Sequence, residues 1–112
     1  MKTYYRLVIA AILALTAWPA LGCEPPDEKQ LQLFANNCIQ CHVNSATGAP
    51  LSGVGKDWQQ VISQDAAAIL KNVIEGLRGM PPLGYCSACS EQDFKVLINF
   101  MAAKSVFKEC SL

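Results

Sequence analysis

Apolar residues return at helical spacing in three stretches of the chain. In the first, Leu31, Phe34, Ala35 and Cys38 stand at i, i+3, i+4 and i+7, which predicts a helix from about Asp27 to Cys38 with one apolar stripe. Pro25 and Pro26 bar its extension backwards, and Asp27 and Glu28 put negative charge where the helix dipole favours it. The second stretch, about Asp65 to Glu75, carries Ile69, Leu70, Val73 and Ile74, with Gly76 as a C-terminal stop. The third opens at Ser90. There Ser90-Glu91-Gln92-Asp93 has the form of a capping box with Asp in place of Glu, and Phe94, Leu97, Ile98 and Met101 keep the helical period. A short helical turn from about Asp57 to Ile62 is compatible with the same pattern. No segment alternates as a strand would, so the expected fold is all-α: three main helices joined by long loops.

Two of those loops are rich in glycine and proline. One covers 44–56, with Gly48, Pro50, Gly53 and Gly55. The other covers 76–90 and contains Gly79-Met80-Pro81-Pro82-Leu83-Gly84. Structured loops of this length usually carry function. With 112 residues, no repeats and no linker, the chain has room for one domain at most.

The N-terminus reads differently. Lys2 and Arg6 make a basic start, Leu7 to Trp18 is uncharged and apolar except for Thr16, and Ala20-Leu21-Gly22 offers small residues before Cys23. This layout predicts a secretory signal peptide over 1–22 and an exported domain over 23–112; the apolar run is short for a bilayer span, an uncleaved anchor being the alternative. Without Lys2 and Arg6, seven basic side chains face nine acidic ones. That balance has none of the clustered Lys and Arg of a nucleic-acid footprint. An exported chain of this size builds only a marginal core, which disulfides would strengthen.

Cys38-Ile39-Gln40-Cys41-His42 carries the chemistry. Two thiols with a two-residue gap, followed at once by an imidazole, suit covalent haem attachment: each thiol adds to one vinyl group and the histidine reaches the iron. His42 is the only histidine, so a sixth ligand must be of another kind. Thioether sulfur opposite histidine is usual in electron-shuttling haems. Met101 lies on the apolar stripe of the last helix, as core filler would. Met80 lies in a loop and precedes Pro81 and Pro82, which hold it out of helical geometry and stiffen the chain behind it. It is the expected sixth ligand. Of the remaining cysteines, Cys86 and Cys89 form a second C-x-x-C and are natural partners, while Cys23 and Cys110 stand near the ends of the exported chain.

Together these residues resemble the class I cytochromes c, and among them the small cytochrome c5 type of bacterial periplasms. The likeness extends from Gln32 to Ala103 and rests on Cys38-Ile39-Gln40-Cys41-His42, Thr47-Gly48-Ala49-Pro50, Trp58, Gly79-Met80-Pro81-Pro82 and Cys86-Ser87-Ala88-Cys89-Ser90. The resemblance implies crossed first and last helices around one haem c. It makes Cys38 and Cys41 the thioether cysteines, and His42 and Met80 the axial pair. Pro50 would accept a hydrogen bond from the proximal imidazole. Trp58 would stand in the haem environment with its indole N–H near a propionate, or serve as plain core. Cys86 and Cys89 match the family's short disulfide, a local brace between the Met80 loop and the last helix. Leu83 stands where the family often has Lys, against docking through positive charge at that edge.

The function so implied is a periplasmic single-haem electron carrier, not an enzyme. Its partners would be an upstream donor and an oxidase or reductase, meeting at a rim of Leu77, Pro82, Leu83 and Tyr85 with Arg78 as the lone charge. Cys23 and Cys110 admit two readings: a disulfide tying the chain ends, or lipid attachment at Cys23 with membrane association. The disulfide is preferred, since lipidation leaves Cys110 alone in an oxidising space. Competing functions are a structural zinc protein with a site of Cys38, Cys41, Cys86 and Cys89, a thiol–disulfide oxidoreductase, and a haem sensor or peroxidase with a displaceable sixth ligand.

Overall fold

The computed structural model describes residues 23–110; the expected signal peptide over 1–22 lies outside them. Within them the chain is helical, and its one strand-like feature is an isolated bridge between Leu77 and Met80.

The first helical stretch runs further than its stripe predicts. It comprises α1 (Glu28–Leu33), a π-helical turn (Phe34–Cys38) and α2 (Ile39–His42). Asp27 caps α1 through a reciprocal box: its carboxylate accepts from Gln30 N at 2.7 Å, and Gln30 Oε1 accepts from Asp27 N at 3.0 Å. The expected stripe is corrected here. Leu31 and Ala35 are exposed, whereas Gln30, Phe34, Cys38 and His42, spaced by four, are buried or half-buried. Before the turn, Gln30 is turned inward onto Asp93; in the turn itself the helix is wider, Ile39 N–H reaching back to Phe34 O instead of Ala35 O. Such a turn shifts the phase of every later side chain, and it brings Cys38 and His42 onto the inward face.

α3 (Gly55–Ile62) and α4 (Ala66–Glu75) follow, then a short 3-10 turn (Pro82–Tyr85) and α5 (Glu91–Ala102). Ser90 caps α5 in the box read from the sequence, with Asp93 as the reciprocal acceptor. Phe94, Leu97, Ile98 and Met101 are buried as expected, but so are Val96 and Ala102. A helix buried beyond one stripe needs a second cover. The chain after α5 supplies it by folding back: Phe107 and Cys110 are buried, and Asn99 holds the return. The Asn99 side chain accepts from Val106 N at 2.8 Å and Phe107 N at 2.9 Å and donates to Phe107 O at 2.9 Å. Each large apolar side chain so buried contributes roughly 1.5–3 kcal/mol.

The first helical stretch meets α5 through side chains of both α1 and the turn after it. Gln30 Nε2 donates to Asp93 Oδ1 at 3.1 Å, and the rings of Phe34 and Phe100 stand edge to face with centroids 5.5 Å apart. The first loop is tied to the same helix, Gly53 N donating to Met101 O at 2.7 Å. Terminal helices and the 44–56 loop thus form one frame around the C-x-x-C-H segment.

Candidate haem-binding site

Cys38 and Cys41 have no disulfide partner among the described residues; Cys38 is half-buried and Cys41 exposed, on one side of the helix. Burial pushes the Cys38 thiol up from its usual pKa, so when free it stays protonated. That is the opposite of the low-pKa thiol used for exchange chemistry.

His42 ends this helix and is buried. Its Nδ1 lies 2.8 Å from Pro50 O. A carbonyl oxygen only accepts, so Nδ1 carries the proton and donates, which leaves the Nε2 lone pair bare. The imidazole also stacks on Trp58, with centroids 5.7 Å apart and planes inclined by 23°. Ser52 N donates to His42 O at 2.7 Å, and Thr47 Oγ1 donates to Cys41 O at 2.9 Å, so the loop after the motif grips its backbone too.

The indole N–H of Trp58 donates to Leu51 O at 2.9 Å. The buried ring is part of the core and stacks behind His42.

The Met80 loop is pinched at its base: Leu77 N donates to Met80 O at 3.0 Å and Met80 N to Leu77 O at 2.9 Å. Gly76, at φ 84°, lets this base close, since a Cβ there would lie 2.9 Å from Met80 O and from Pro82 N. Leu83, Gly84 and Tyr85 then run in the left-handed region at φ 60°, 55° and 62°. Left-handed backbone costs a non-glycine residue about 1–2 kcal/mol, so the curl is held by its surroundings. The Met80 side chain is half-buried against the core, and the Pro82–Tyr85 turn packs against the Phe34–Cys38 turn. The structure therefore brings the Met80 loop beside the thiol-bearing helix.

An open cleft of about 460 Å3 is lined by Gly48, Pro50, Leu51, Asp57, Val61 and Arg78 among others. The donor set fits haem c: two free thiols one helical turn apart, an adjacent imidazole with a bare Nε2, and a thioether on a stiff loop. The four-cysteine alternative is not assembled. Cys86 and Cys89 have their sulfurs in contact and Cα atoms 5.4 Å apart, and no cluster of three or more potential metal-ligating His, Cys, Asp or Glu side chains forms among the described residues.

The family model described as "Cytochrome C oxidase, cbb3-type, subunit III" matches residues 26–101, spanning His42 and Met80. The chain is 31% identical over 72 residues to cytochrome c5 of Ectopseudomonas mendocina, covering 62% of this chain and 83% of that protein. It is 30% identical over 72 residues to cytochrome c5 of Azotobacter vinelandii, covering 62% and 87%. This chain belongs to the cytochrome c family. It is a cytochrome c5-like class I cytochrome c, an electron-transfer protein with covalently bound haem c. No solved structure matches it significantly.

Several residues that hold the cytochrome's frame and site were missed in the sequence. Gln30 closes an Asp-x-x-Gln box, a signal that marks helix starts and could have been read. Asn99 and Asp57 carry no such mark; their partners come from the fold.

Proposed function

We propose that this cytochrome c is an exported, periplasmic carrier of single electrons, with Cys38 and Cys41 as the thioether cysteines and His42 and Met80 as axial ligands. The observation that carries this reading is the 2.8 Å hydrogen bond from His42 Nδ1 to Pro50 O, which turns a bare Nε2 lone pair outward from the motif. Haem c supplies a one-electron iron couple. The chain's part is to orient the imidazole, to hold the thioether on a loop closed at Leu77 and Met80, and to keep both in place whatever the charge. With both axial positions taken there is no site for a substrate, and this favours transfer over a sensor or peroxidase role.

Cys23 with Cys110, and Cys86 with Cys89, are read as disulfides, supported by Cα separations of 5.1 Å and 5.4 Å, both within the usual range for the bond. Two disulfides suit an oxidising compartment and a signal peptide over 1–22. Redox partners, an upstream donor and an oxidase or reductase among them, would dock over Leu77 and Tyr85, whose side chains are exposed beside the Met80 loop. The family description's oxidase subunit is compatible with an oxidase as acceptor.

Met80→Ala is the test. The oxidised wild type should have the weak long-wavelength absorption of sulfur-to-iron charge transfer, and the variant should lose it. An unchanged spectrum would remove Met80 as ligand.

A further inference from the structure

Pro50 C=O and Leu51 N–H belong to one peptide unit, and both ends of it are taken. The carbonyl accepts from His42 Nδ1 at 2.8 Å, while the N–H donates to Asp57 Oδ2 at 3.1 Å. A trans peptide directs these two groups to opposite sides, so a carboxylate and the buried imidazole face each other across a single peptide dipole.

Asp57 is not where helix chemistry alone would send it. It stands at the third position of α3, where an acidic side chain ordinarily reaches back to the backbone N–H of the capping residue. Here that residue is Val54, and the start of α3 has no side-chain cap. The carboxylate instead passes over its own helix end to Leu51. The neighbouring Trp58 grips the same residue from its other side, its indole donating to Leu51 O at 2.9 Å, while its ring stacks on His42. Leu51 is thereby held at both N–H and C=O by consecutive residues of α3.

We infer that Asp57 is a positioning residue for His42, fixing and polarising the Pro50–Leu51 peptide so that its carbonyl draws more strongly on the imidazole N–H. The inference rests on the reading of His42 as axial ligand. Histidine ligands are commonly backed by a carboxylate that raises their basicity; here the carboxylate works through an intervening amide. Hydrogen bonds in series polarise one another, so a charge on the N–H side increases the acceptor strength of the oxygen. A more basic imidazole donates more to the iron and favours the oxidised state.

The test uses the haem-loaded protein with Asp57→Asn, Asp57→Ala and, as a control for weakening α3 itself, Ile62→Ala, a residue of the same helix that packs against the core. The readouts are the proton chemical shift of His42 Nδ1–H in the reduced protein, its exchange with solvent, and the reduction potential. Asp57→Asn keeps an acceptor oxygen but loses the charge: the Nδ1–H resonance should move upfield and the potential rise. Asp57→Ala loses both, so the shift should be larger and exchange faster by about tenfold, the scale of one hydrogen bond. Ile62→Ala should lower the unfolding midpoint and leave the Nδ1–H shift alone. A potential that rises with the Nδ1–H shift unmoved in both Asp57 variants would reduce the residue to an ordinary nearby charge and overturn the inference. Absence of iron-bound imidazole in the wild type would instead overturn the ligand assignment, so the two failures are distinct.

Discussion

Gln30 Nε2 donates to Asp93 Oδ1 at 3.1 Å, joining the capping boxes of α1 and α5 across 63 positions of sequence. Each box satisfies its own helix end, and the bond between them makes the two ends one unit. Asp93 accepts further from Ser90 N at 2.9 Å and Ser90 Oγ at 2.8 Å, and pairs with Lys29 Nζ at 3.4 Å. Its Coulomb partner is exposed and contributes little. The hydrogen bonds are what matter, because a buried carboxylate without them would be costly.

Acid should therefore loosen this junction. Burial works to raise the Asp93 pKa, but hydrogen bonds from the Ser90 backbone, Gln30 and the Ser90 hydroxyl outweigh it and, with Lys29, bring it down to about 2 from 3.8. A carboxylate depressed in the folded state stabilises above its unfolded pKa and loses that contribution as pH falls through the folded one. The contribution should be about 2 kcal/mol near neutral pH, fading between about pH 4 and pH 2. Urea midpoints measured across that window should fall for the wild type and fall less for Asp93→Asn, which starts lower. Equal slopes would show that Asp93 is not the titrating group.

The Met80 loop should be most sensitive at a residue that supplies no iron ligand. Gly76→Ala puts a Cβ at 2.9 Å from two backbone atoms of the loop, in a conformation that L-residues rarely adopt. Strain and overpacking together should cost about 3 kcal/mol. The expected result is a lower unfolding midpoint together with partial loss of the sulfur-to-iron absorption. Wild-type behaviour on both counts would mean that the loop base is not rigid.

Joining the chain ends should stabilise without being needed for the fold. Removing the Cys23–Cys110 bond by Cys23→Ser with Cys110→Ser should lower stability by up to about 4 kcal/mol, since a long loop is released. Phe107 and the three hydrogen bonds of Asn99 remain to keep the tail on α5. Intact mass of the purified protein should be lower by two hydrogens for each disulfide. A lipid adduct on Cys23 would overturn this pairing.

Much of the site was readable because its chemistry demands fixed residue types close together in sequence. Two thiols and an imidazole within five residues can be read without a fold, and so can a methionine held by two prolines. The Ser90 to Asp93 box was equally legible, since a cap is satisfied within one turn. The phase of the first helix was not, because a polar Gln30 takes the inward face to reach Asp93 and the turn that follows is wider than a regular one.

Sequence alone determined the attachment motif, the helix starts and the loop that bears Met80, all of them local matters of covalent spacing and backbone geometry. Only the tertiary structure decided that Gln30 is buried against Asp93, that Trp58 gives its N–H to Leu51, and that Asp57 stands behind the Pro50 carbonyl. A polar side chain has the same propensity whether it ends in water or on a buried partner. Which of these occurs depends on groups brought near by packing, and no pattern along the chain encodes that distance.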